Sequence, residues 1–480
     1  MKRRSQLSLV KNTKEEIDPY YLFMLNYTLA LFSSGYPVAE VMKRLGSQSY
    51  FSPYHKFYKR ISVLINGYGY KIKSAVSSTL NKITIKPFKE FLIRLTQAIS
   101  YGDDMAQFLE QELNTSLASF QAVNERKQES MNTFLALYGT LSSALVFLIV
   151  DITILAVLYS IGESLINLFT VAVVLISLMM TLVVYAVYKP YAKIIYPPHI
   201  YPISTVLIGV TAFLILFQRE PFIAVFSGIV LLGLGAKLRF EEAKLERLEK
   251  DYLVFVRYFS RTFDLVKNLP ESLLGVLRGE LGLMKTYVKK MYNRTLLGID
   301  KLLIFKLMST ESRSHLISMG NTVISSTIEA GGDLGFIGEN LSRLLQALYN
   351  IRQRREQNGR AFETTMYTLQ LTSAAVGGAL VAIVGVFINL FSSIAQYSIF
   401  SLGSVNIQQV QTIILLVLIF LSYTNGFTIC VAHGKPLPIC IFYIGVLLLI
   451  TVGGYEITLI LTQRIFTTLF SPNGVLAPPS

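Results

Sequence analysis

The sequence has no tryptophan, two cysteines and four histidines in 480 residues. Two thiols cannot build a disulfide framework. With His433 they spell C-x2-H-x6-C (Cys430 to Cys440), which lacks a fourth ligand and matches no zinc spacing. Both cysteines read as lipid-facing or packed apolar residues. His55, His199, His315 and His433 lie in separate segments. There is no G-x-S-x-G elbow, H-E-x-x-H pair or paired C-x-x-C. No catalytic, metal or cofactor constellation is left, so the chain reads as a non-enzyme. Charge is also scarce over long stretches. Outside residues 1–130 and 237–360 only five basic and five acidic side chains occur.

What fills those stretches is apolar. Hydrophobic residues make up 52% of the chain, and the mean hydropathy of +0.49 is too high for a soluble protein of this size. Runs long enough to cross a bilayer are Asn132–Ser160, Leu165–Tyr188, Ile203–Gln218, Phe222–Leu238, Met366–Ala395, Thr412–Ala432 and Ile439–Leu461. The third and fourth are short against the roughly 20 residues a bilayer core requires. The charged blocks hold 18 Lys/Arg against 11 Asp/Glu (1–130) and 21 against 14 (237–360). This positive charge flanks the spans, as the positive-inside rule asks, and forms no compact basic patch for nucleic acid. Lys189, Lys193 and Lys435 put the connectors on the same side. The opening MKRRSQLSLVKNTKEE has no apolar core of a signal peptide, so the first block is expected inside. Four N-x-[ST] sequons, at Asn26, Asn114, Asn293 and Asn340, all fall in these inside blocks.

The expected architecture is an all-α, polytopic membrane protein with two repeated helical-bundle cytoplasmic domains. Residues 1–131 form the first domain and 132–238 four spans. Residues 239–362 form the second domain, 363–462 three spans, and 463–480 an extracytoplasmic tail.

The stretch IEAGGDLGFIGENLSRLL, Ile328 to Leu345, gathers four glycines. Their spacing is neither G-x-G-x-x-G after a strand nor G-K-[ST] opening a helix, so nothing there cradles phosphate. Gly331 and Gly332 instead end one helix, and Asp333 caps the next. That helix turns Leu341, Leu344, Leu345, Leu348 and Ile351 inward. Gly338 lies within it, so alanine there is expected to stabilise by about 0.5–1 kcal/mol. A slide of 230 residues sets Gly102 and Asp103 against Gly332 and Asp333, and a slide of 233 sets Pro37 against Pro270. Each of those prolines closes a helix that begins near an aspartate, Asp18 or Asp251. The order of parts therefore repeats.

Asp151 and Glu456 fall in apolar runs, where an ionisable group signals either ion translocation or an interfacial position. Counting along the spans puts both near the outer interface. Ala374, Gly378 and Ala382 repeat at small-xxx-small spacing, which predicts close helix packing.

The doubled helical domain leading into spans, together with SSTIEAGGDLGFIGENLSRLLQALYNIRQRRE, resembles the type II secretion system F family. These are the membrane platform proteins of type IV pilus-like machines. Four spans between the domains resemble the archaeal branch, which serves archaella and adhesive pili. The resemblance puts Glu329, Gly331, Gly332, Asp333 and Leu334 on the family signature. In the first copy Gly102 and Asp103 remain and Ile99 stands in place of the glutamate. It implies a homodimer in the cell membrane that contacts a hexameric secretion ATPase and pilin or archaellin subunits, with no cofactor and no nucleic acid. Arg343, Arg352, Arg354, Arg355 and Arg360 would be ATPase contacts or positive-inside anchors. The alternative is an ion-coupled secondary transporter with internal repeats that uses Asp151 and Glu456. A signalling receptor would need an output domain, and none is recognisable.

Overall fold

The computed structural model describes residues 16–158, 163–188, 200–218, 221–394 and 407–470. Lys189, Lys193, His199 and the tail segment 471–480 lie outside them. Among the described residues there are helices and no strand. In order they are α1 (Pro19–Ser33), α2 (Val38–Ser47), α3 (Tyr54–Tyr68), α4 (Ile72–Leu80), α5 (Lys86–Tyr101), α6 (Met105–Leu158), α7 (Glu163–Val187) and α8 (Ile200–Gln218). There follow α9 (Pro221–Val266), α10 (Leu269–Leu277), α11 (Met284–Leu296), α12 (Lys301–Ser312), α13 (His315–Glu329), α14 (Leu334–Ile394), α15 (Ile407–His433) and α16 (Cys440–Phe470). The chain divides into two compact units. The first draws its described residues from Met1–Lys127 and Ala243–Gln353, the second from Gln128–Tyr191, Tyr196–Glu242 and Arg354–Ser480.

In the first unit, the Asp18 carboxylate accepts the Tyr21 N–H at 2.8 Å and starts α1, with Pro19 in the first turn. Every residue from Tyr21 to Leu31 is buried. A helix apolar all round faces only core. Six helical segments, α1 to α5 and the first part of α6, recur in order as the last part of α9, α10 to α13 and the first part of α14. The two copies share one hydrophobic core, in which Tyr21, Phe51 and Phe88 join Phe259, Ile324 and Leu341. Each such fully buried side chain contributes about 1.5–3 kcal/mol.

At the joint the repeat is in register one residue away from the 230-residue slide read in the sequence. Gly102, at φ +77°, matches Gly331, at φ +68°, and the helix-capping Asp104 matches Asp333. Asp103 is therefore a turn residue beside the cap. The second aspartate expected at a helix start is also displaced. Asp251 lies inside α9, because α9 is continuous with an apolar run, and it accepts the Leu283 N–H at 2.6 Å.

In the second unit α15 is central. It is buried along most of its length and packs on α7 and α16. Six helices among the described residues are long and apolar enough to cross a membrane. The third expected span falls on the shorter apolar helix Ile200–Ile215. The small-xxx-small stripe works within the chain. A Cβ on Gly378 would overlap the Tyr455 carbonyl of α16, and Ala374 and Ala382 are buried. Cys430 and Cys440 are packed in this core and do not face lipid.

Candidate functional site

The expected signature forms a helix–turn–helix joint. At the end of α13 the N–H of Gly331 donates to Ile328 O at 3.2 Å, and that of Gly332 to Thr327 O at 3.0 Å. These bonds satisfy the last carbonyls of the helix and hold Gly331 left-handed, where a side chain is strained. Asp333 Oδ1 then accepts the Phe336 N–H at 2.8 Å and opens α14. The first copy repeats this chemistry. Asp103 N–H donates to Ala98 O at 3.0 Å, and Asp104 Oδ1 accepts from Ala106 at 2.9 Å. Leu334, first in α14, is fully buried, as are Leu341, Leu344 and Leu345, while Leu348 and Ile351 are half-buried against the same core.

Sequence reading missed what the joint touches. Glu329 forms a two-point ion pair with Arg44 of the first copy, Nη1 to Oε2 at 3.0 Å and Nη2 to Oε1 at 3.2 Å. Arg44 also bonds Glu40 at 3.2 Å, and its guanidinium lies 4.5 Å from the centre of the Tyr36 ring. Ser326 Oγ donates to Tyr27 OH at 3.3 Å. A Cβ on Gly332 would overlap Ser34 Oγ at the end of α1. The signature residues thus clamp one copy to the other. Arg44 carries no signal of its own beyond an i, i+4 acid.

The five arginines do not form one surface. Arg343 pairs with Glu339 at 2.9 Å and Arg360 with Glu356 at 2.7 Å, both one turn away on α14. Arg352 pairs with Glu249, which also accepts from Ser314 Oγ at 2.5 Å. Arg354 is engaged as well. In the second unit Arg355 donates to the carbonyls of Tyr188 at 2.7 Å, Val431 at 2.9 Å and Ala432 at 3.3 Å. It closes the C-terminal ends of α7 and α15, where cations are favoured. Lys435, expected as a loop charge, is half-buried and pairs with the buried Glu242 at 3.3 Å. His433 Nε2 faces Glu363 at 2.8 Å and stacks on Tyr443.

Buried amides and hydroxyls link the helices of the second unit. Tyr138 OH donates to Asn425 Oδ1 at 2.9 Å, Asn425 to Gln370 Oε1 at 2.9 Å, and Gln370 to Thr451 at 2.9 Å and Ser422 at 3.1 Å. Such amides and hydroxyls bind helices together in lipid. Asp151 is exposed on α6 and Glu456 is half-buried on α16. Among the described residues no three His, Cys, Asp or Glu side chains gather as a metal site would require. The arrangement holds helices in register.

The description of type II secretion system protein F matches residues 24–153, which is the first copy and the start of the first span. The signature stretch quoted above lies in the second. Flagella accessory protein J of Methanocaldococcus jannaschii is 22% identical over 337 residues, covering 65% of this chain and 60% of that protein. The chain thus spans under two thirds of this relative's length. No solved structure matches.

Proposed function

We propose that this chain is a member of the type II secretion system F family and the non-enzymatic platform of an archaeal type IV pilus or archaellum machine. In this reading it sits as a homodimer in the cell membrane with both charged copies in the cytoplasm. There it couples a hexameric secretion ATPase to the insertion of pilin or archaellin subunits into the filament. One observation carries the reading. Two helical copies share one core, and each ends in a single unbroken helix, α6 of 54 residues and α14 of 61, that continues into an apolar span. An unbroken helix carries a displacement along its axis without a joint that would absorb it. A body with no nucleotide motif and such helices receives motion and does not generate it. The test is genetic. Cells lacking the gene should carry no filament of one class by electron microscopy, and the gene in trans should restore it. Normal filaments of every class in the deletion strain would contradict the proposal.

A further inference from the structure

Between α6, α9 and α14, wholly within the first unit, lies an open groove of about 550 Å³. Arg257 and Arg261, one turn apart on α9, and Arg343 on α14 line it. Arg343 is paired with Glu339, whose carboxylate also feels Arg261. Arg257 makes no hydrogen bond or ion pair among the described residues, and three cations against one acid leave the groove positive. Ser260 and Ser342, 1% and 4% exposed, floor the groove, and their hydroxyls have no hydrogen-bond partner among the described residues.

The shape and lining narrow the occupant. No aromatic ring lines the groove, so a nucleotide base has nothing to stack on. The α14 wall runs from Gly335 to Asn350, about 22 Å at 1.5 Å per residue. That length suits an extended chain better than a compact anion. Arginine favours carboxylates through its two-point geometry. We infer that this groove docks an acidic, carboxylate-bearing segment of a cytoplasmic protein partner. That the partner is the secretion ATPase rests on the platform reading, whereas the preference for carboxylates does not.

The test uses the full chain in nanodiscs of zwitterionic lipid and a fluorescein-labelled decaglutamate peptide, read by anisotropy. R257Q/R261Q should weaken binding about tenfold or more, with the melting temperature unchanged. K73Q/K82Q, two exposed lysines elsewhere on the unit, should leave binding within about twofold. Equal loss in both double variants, or none in the first, would overturn the groove. So would displacement of the peptide by millimolar ATP or inorganic phosphate, which would mark a small-anion site. Abolition of peptide binding by phosphatidylglycerol in the disc would mark a lipid site and overturn it equally. Running the ATPase in parallel separates the two proposals. Failure of the wild-type chain to bind it counts against the platform, and failure of the peptide series counts against the groove.

Discussion

Gly331 sits at φ +68° with open space around its Cα, so what a side chain would meet there is backbone strain and not a neighbour. Gly331→Val should therefore cost about 1–2 kcal/mol, read as a lower melting temperature of the full chain in detergent. Gly338 is the opposite case. It is helical, and helix propensity alone favours alanine, but a Cβ there would overlap both Cβ and Oγ of Ser260. Gly338→Ala should therefore destabilise by about 1–3 kcal/mol, against the expectation from sequence. The double variant G338A/S260G should lose less than the two single losses added, because Ser260→Gly vacates that space. Simple additivity would mean the contact is not what matters. Asn26 is a third residue-scale case. It is fully buried in α1, and neither its amide oxygen nor its nitrogen has a partner among the described residues. Asn26→Leu should raise stability by about 1–3 kcal/mol.

Elements meet in ways their own sequences do not announce. The Gly–Gly–Asp joint was legible because Schellman turns and N-caps are local, set by residues within one turn of each other. The leucine face of α14 was legible for the same reason. The partner of Glu329 was not, since Arg44 lies 285 residues away in the other copy. Nor was the work of Arg355, whose three acceptors are carbonyls and carry no residue signature. The Arg44–Glu329 pair is about a quarter to a third exposed, so Glu329→Gln should cost only about 0.2–1 kcal/mol. Between α11 and α12, Glu311 is pushed up by burial, but hydrogen bonds from Arg294 and Lys290 outweigh this and leave its carboxyl below the ordinary value of 4.5. Its contribution is thus fully present above about pH 4.5 and fades as pH falls through the lower folded value. Glu311→Gln should flatten the acid side of the melting-temperature profile relative to the parent chain. An unchanged slope would show that the pair contributes nothing.

At the scale of the whole molecule, composition marked the membrane unit and pattern marked the doubled charged one. Span count was less legible, because residues 200–218 form a helix whose described part is too short to separate a span from a buried segment. The sequons probe sidedness, but only two are usable. Asn26 and Asn340 are buried, whereas Asn114 and Asn293 are exposed. With both copies in the cytoplasm, no glycopeptide containing Asn114 or Asn293 should be recovered, and recovering either would reverse the orientation. The platform reading as a whole turns on energy transfer. Its most direct measurement is ATP hydrolysis by the partner hexamer, with and without the full chain in nanodiscs. The account predicts no hydrolysis by the chain alone, binding of the hexamer through the charged unit, and a changed hydrolysis rate in the complex. ATP turnover by the chain itself, or a hexamer that neither binds nor changes its rate, would contradict it.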